Sequence, residues 1–152
     1  MEQRLSFKEL PNGFYDGMMK NNAYLKKTTL GEKLKELVKL RVSQINKCAF
    51  CLDMHHKEAI HAGETEQRLH SLPAWRECPY YNDQERIALA YTEALTLVAT
   101  HDIDDTMYAQ LQKAFTVEEI AHLTLIITET NSWNRINHAF RTEAGNYVVG
   151  MY

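Results

Sequence analysis

The sequence predicts an all-α fold of about six or seven helices and no sheet, and three observations carry that expectation. Apolar residues recur at the spacing of one helix face, as in Leu34, Leu37, Val38, Val42 and Ile45. No stretch keeps the strict alternation of a half-buried strand. Helix starts are also marked by short polar side chains, twice with a Glu three positions later, the pairing that satisfies free N–H groups at a helix start. The 152 residues suit one domain, 1–152, with its core over about 30–141.

Taken in order, the first 28 residues carry the weakest pattern. Pro11 and Gly13 interrupt it, and Phe14 to Leu25 reads as helical or merely packed. A helix is predicted over Leu30 to Ile45, with Asn46 or Lys47 at a tight corner. A second begins near Cys48 and runs to Ala62, with Gly63 in the C-terminal cap position. Glu66 to Ser71 suggests a short helix. The segment from Ser71 to Asn82 holds Pro73, Pro79, Trp75, Tyr80 and Tyr81, and reads as an ordered aromatic connection rather than a flexible linker. Asn82 with Glu85 opens a helix to about Thr100, its core face formed by Ile87, Ala90, Tyr91, Ala94 and Val98. Asp104 caps the next, carrying Met107, Tyr108, Leu111 and Phe115. Thr116 with Glu119 opens a long helix to about Arg141.

Bulk properties exclude several classes. A formal net charge of −3 and the absence of a Lys/Arg cluster argue against nucleic acid as the main partner. Lys33 to Lys39 alternates with Glu32 and Glu36 and reads as a solvated helix face. Met1 to Ser6 is polar and no signal peptide, and Ile120 to Ile127 is too short and too interrupted to span a membrane, so a cytoplasmic address is expected. Only three cysteines occur, too few and too odd for a secreted disulfide scaffold. In a reducing compartment Cys48-Ala49-Phe50-Cys51 points instead to redox or metal chemistry.

Cys51 and His55 are four apart and share one helix face. Cys48 falls at or near the helix start, where free N–H groups and the helix dipole stabilise a thiolate. A thiolate attacks the O–O bond of a peroxide, and a neighbouring thiol condenses the resulting sulfenic acid to a disulfide. The spacing therefore supplies an attacking sulfur, a resolving sulfur and a base in two helical turns. His55 can take up the thiol proton and return it to the departing oxygen, and Glu36, one helix earlier, could orient it.

The run from Leu37 to Cys51, continued by Leu52-Asp53-Met54-His55, resembles the core motif of the carboxymuconolactone decarboxylase superfamily. Within it the chain is similar to the alkylhydroperoxidase D-like (AhpD-like) branch, whose E-x11-C-x2-C-x3-H pattern Glu36, Cys48, Cys51 and His55 fit residue by residue. Asn131-Ser132-Trp133-Asn134-Arg135 resembles a segment common in short members of the branch. The resemblance covers about Leu30 to Arg141. It implies an all-helical bundle assembled as a trimer or hexamer, with Cys51 the peroxidatic thiol, Cys48 the resolving one, and Glu36 and His55 the proton relay. It further implies a peroxide substrate and a dithiol reductant, such as a lipoylated protein. One departure stands out: Phe50 occupies the place of a second histidine in the best-studied branch, which implies a shorter relay.

Other readings stay open beside this one. Cys48, Cys51 and His55 give three zinc ligands, and Cys78 or Glu36 would have to supply the fourth, so no metal is expected. No phosphate loop, Ser-His-Asp order or paired-carboxylate motif occurs, and no cofactor is implied. Cys78 reads as a packed thiol, and His61, His70, His101, His122 and His138 as surface or satisfied core residues. The rival functions are a decarboxylase or lactone-processing enzyme that works without the thiols, and a redox-sensing module without useful turnover.

Overall fold

A computed structural model describes residues 2–151; Met1 and Tyr152, the ends of the expected 1–152 domain, lie outside the described residues. Seven α-helices and no strand occur among those residues: α1 (Asp16–Leu25), α2 (Glu32–Ile45), α3 (Ala49–His61), α4 (Glu66–Ser71), α5 (Asp83–Thr96), α6 (Asp105–Ala114) and α7 (Val117–Phe140). The ambiguous Phe14 to Leu25 stretch is thus helical over most of its length. The marked caps act as expected. Asn82, Asp104 and Thr116 each accept the backbone N–H three residues on, and Asn82 and Thr116 complete capping boxes with Glu85 and Glu119. Gly63, at φ +91°, follows α3 in the left-handed conformation that ends helices.

One core assignment needs correction. α5 stops at Thr96, and Val98 is 61% exposed rather than buried. Thr96, Val98 and Thr100 are β-branched and poor helix formers, and the N–H groups of Thr100 and His101 both close onto the Leu97 carbonyl to turn the chain toward α6. The buried face of α5 instead includes Ala88, Leu89 and Thr92 beside Tyr91 and Ala94. On α6, Leu111 is buried and Met107 packs against the core, but Tyr108 is 43% exposed. Periodicity identifies a face without saying where a neighbour ends.

α2 lies at the centre. Val38 and Val42 join Leu111, Leu123, Ile126 and Ile127 in one apolar cluster. Leu37 and Leu40 join Ala59, Leu69, Leu72, Trp75 and Leu89 in a second. A helix buried on opposite faces cannot be the solvated one its Lys/Glu alternation suggested: Lys35 and Glu36 are both buried. The corner after α2 is made by Lys47, whose φ of 55° turns the backbone sharply before Cys48 caps α3.

Buried amides lock the α2–α7 seam. Asn134, 1% exposed, donates to Ser43 Oγ at 3.1 Å and accepts from Asn46 Nδ2 at 3.0 Å. Asn46 Nδ2 also reaches Asn131 Oδ1 at 2.9 Å, and Ser43 donates to the Lys39 carbonyl. His122 is likewise a satisfied core histidine, between Tyr24 Oη at 3.0 Å and Thr28 Oγ1 at 2.9 Å. Because Asn134→Ala removes two hydrogen bonds across the seam and leaves a void, it is expected to lower stability by about 2–3 kcal/mol, read as a shift in urea midpoint at unchanged slope.

Candidate functional site

Cys48 is the N-cap of α3, and its Sγ accepts the Cys51 N–H at 3.4 Å. The two cysteines are joined as a disulfide with Cα atoms 5.3 Å apart, and both are buried. Their sulfurs therefore sit in the first turn of a helix, where backbone N–H groups point outward and favour negative charge. A further donor arrives from α7. Asn137 Nδ2 lies 3.6 Å from Cys51 Sγ, and the same amide group donates to the Trp133 carbonyl at 3.0 Å.

The packing of α2 on α3 brings the two remaining candidates together. His55 Nδ1 lies 2.9 Å from Glu36 Oε2, with both side chains about nine-tenths buried. Lys39, one turn along α2, donates to the other carboxylate oxygen, Oε1, at 2.8 Å. Burial works to raise the Glu36 pKa, but the charges and hydrogen bonds of His55 and Lys39 outweigh it and bring it from 4.5 down to about 2. Glu36 is thus ionised throughout the neutral range. With Nδ1 directed at Glu36, the other imidazole nitrogen, Nε2, is left for proton exchange.

His55 lies one helical turn beyond Cys51, but among the described residues no hydrogen bond joins its imidazole to either sulfur. The structure thus pairs Glu36 with His55 and Cys48 with Cys51, and Cys51 and His55 sit at consecutive turns of α3. Phe50 points elsewhere, its ring edge-on to Tyr147 with centroids 6.5 Å apart. The segment around Tyr147 is pinned along α3: Gly145 N–H donates to Asp53 Oδ2 at 3.0 Å, and Lys57 Nζ to the Tyr147 carbonyl at 2.9 Å. Cys78 is distant in sequence and half-buried, its thiol directed at the Ala74 carbonyl. Among the described residues, no group of three His, Cys, Asp or Glu side chains is arranged to hold a metal ion, and no helix is long and apolar enough to cross a membrane.

Lys39 and Asn137 are absent from the sequence-based site. In sequence Lys39 belongs to a face that reads as solvated, and Asn137 lies just past the Asn131–Arg135 segment. Lys39 meets Glu36 as an i,i+3 neighbour on α2 whose face the packing buries, whereas tertiary packing alone brings Asn137 to Cys51. A surface hollow of about 440 Å³ between α5, α6 and α7 offers no thiol, imidazole or carboxylate.

The model of the carboxymuconolactone decarboxylase family matches residues 11–94, more than half of the chain. The uncharacterised protein YdfG of Bacillus subtilis (strain 168) is 40% identical over 146 residues, covering 96% of this chain and 99% of that one. The uncharacterised protein YnjA of Escherichia coli (strain K12) is 30% identical over 114 residues, covering 75% of this chain and 62% of that one. A solved structure from Agrobacterium tumefaciens, of unknown function and described as a candidate antioxidant defence protein AhpD, superposes with a TM-score of 0.90. Its identity is 35%, over 96% of this chain and 100% of that chain. An uncharacterised peroxidase-related protein from Silicibacter sp. TM1040 shares the fold at a TM-score of 0.78 and 20% identity, covering 86% of this chain and 70% of that one.

The depressed Glu36 pKa fixes a pH dependence. A carboxylate whose folded pKa lies below its unfolded value adds stability above the unfolded pKa and loses it as pH falls through the folded one. The wild type should therefore lose stability from about pH 4.5 toward pH 2. Glu36→Gln should start less stable at neutral pH and show a flatter acid limb in urea titrations run across that window.

Proposed function

The chain belongs to the carboxymuconolactone decarboxylase family, and we propose that it is a thiol peroxidase of the alkylhydroperoxidase D type. The observation that carries this reading is the buried Glu36–His55 pair, one helical turn from two cysteines close enough to form a disulfide. Its members do complementary jobs. An ionised Glu36 does not accept the reaction's proton at neutral pH but holds an imidazolium in place, which makes His55 the group that moves the proton.

In the reduced protein His55 takes the proton of the Cys51 thiol, and the helix N–H groups and Asn137 stabilise the thiolate. The thiolate attacks one peroxide oxygen. A sulfur–oxygen bond forms, the O–O bond breaks, and its electron pair leaves on an alkoxide or hydroxide that takes the proton back from His55. Cys51 is now a sulfenic acid. The Cys48 sulfur attacks it, the disulfide forms, and the hydroxyl leaves as water with the Cys48 proton. An external dithiol, such as a lipoylated protein, reopens the bond by exchange, so each cycle moves two electrons from dithiol to peroxide. Both sulfurs are buried in the oxidised state, so the reductant needs local opening of the first turn of α3. Assembly as a homo-oligomer, trimer or hexamer, is part of the same reading.

Peroxide consumption driven by excess dithiol tests the roles. Cys51→Ser should leave only background turnover, and His55→Ala should lose about 10²–10⁴-fold. Asn137→Ala should lose roughly tenfold or more, the worth of one hydrogen bond to a charged group. Given peroxide without dithiol, Cys48→Ser should consume one equivalent and leave a sulfenic acid trapped by dimedone. Full activity in Cys51→Ser would sink the assignment and turn attention to decarboxylation, which needs no thiol.

A further inference from the structure

Glu129, on α7, is a buried acid that the proposed mechanism does not use. Only 6% of the residue is exposed, and its Oε1 has no hydrogen-bond partner, which is the rare condition for a buried polar atom. Two groups act on it favourably: the Trp133 indole, which hydrogen-bonds the carboxyl, and the charge of Lys39. The small hollow beside it is lined by Met18 and Asn21 from α1 and by Leu125, Thr128 and Ser132 from α7, none of which ionises. From α2 the cation is Lys39. That ammonium is already bonded to Glu36, the partner of His55. Lys39 is therefore hydrogen-bonded to one buried carboxyl group, Glu36, and acts on the second, Glu129, through its charge alone.

We propose that Glu129 is a positioning residue of the same proton path: when it ionises it draws Lys39 away from Glu36 and leaves that carboxylate to His55 alone. The proposal rests on the reading that His55 takes the Cys51 proton. Its direction follows from electrostatics. Lys39 on Glu36 neutralises part of the charge that holds an imidazolium, so sharing Lys39 makes His55 a stronger base and Cys51 more often a thiolate. A new negative charge on Glu129 acts in the same sense. The switch falls in the neutral range, because burial outweighs Lys39 and Trp133 and raises the Glu129 pKa from 4.5 to about 7.

The test reads thiol reactivity rather than turnover. Fully reduced protein is alkylated with iodoacetamide between pH 6 and pH 8, and the rate at Cys51 is resolved from Cys48 and Cys78 by peptide mass spectrometry. The wild type to Glu129→Gln rate ratio should be near one at pH 6, where both side chains are neutral, and rise several-fold by pH 8. In a Lys39→Met background the same substitution should change the ratio much less, and Lys39→Met alone should flatten the wild-type pH dependence, which keeps the test open if Glu129→Gln folds poorly. A flat ratio, or one unaffected by Lys39→Met, overturns the proposal while leaving the peroxidase reading intact. If His55→Ala leaves Cys51 reactivity unchanged at every pH, the His55 reading fails and this proposal with it.

Discussion

A carboxylate cannot lie inside a helical bundle without partners, and Glu36 is such a carboxylate. Its two oxygens are taken by His55 and Lys39, and much of the architecture follows from bringing those groups together. His55 is on the next helix, so α2 and α3 must pack closely and in one register. The linker allows this only by a sharp corner, which Lys47 makes in a conformation that costs about 1–2 kcal/mol for a residue with a Cβ. Burying α2 on opposite faces, with Leu37 and Leu40 on one side and Val38 and Val42 on the other, removes water from the pair and strengthens its internal attraction. The same corner places Cys48 at the cap of α3, so the proton-handling pair and the sulfurs are positioned by one turn of chain.

α7 contributes the second constraint. Its inner edge is partly polar: Asn131 and Asn134 close the seam to α2, Asn137 reaches Cys51, and the buried Glu129 feels the charge of Lys39. Apolar residues there would pack the core without desolvating amides and an acid. The N-terminal segment completes the enclosure, with Tyr15 stacked on Trp133 and Phe14 tilted against Phe140. The result is a helix that is apolar toward its start, at Ile120, Leu123, Ile126 and Ile127, and chemically equipped toward its end.

Much of this was legible in local sequence. Capping boxes located the starts of α5 and α7 to the residue, and the C-x-x-C-x-x-x-H run put sulfurs and imidazole on one helix because helical spacing is a local property. Three-dimensional neighbours were not legible. Lys33 to Lys39 alternates with Glu32 and Glu36 as a surface would, yet α2 is central, since only tertiary packing decides whether such a face meets water. Asn137 and Glu129 carry no motif, and the groups they act on beyond α7, Cys51 and Lys39, lie on other helices. Val98 failed because the β-branched residues around it end α5 at Thr96, before the periodicity does.

Glu36, His55 and the two sulfurs form one reaction centre only if peroxide itself makes the disulfide. One equivalent of peroxide, added to the fully reduced protein without any reductant, tests this directly by intact and peptide mass spectrometry. The account predicts rapid loss of one equivalent of peroxide, a mass lower by two hydrogens, a Cys48–Cys51 bond and an untouched Cys78. Peroxide left unconsumed, or oxidation falling first on Cys78, would contradict it.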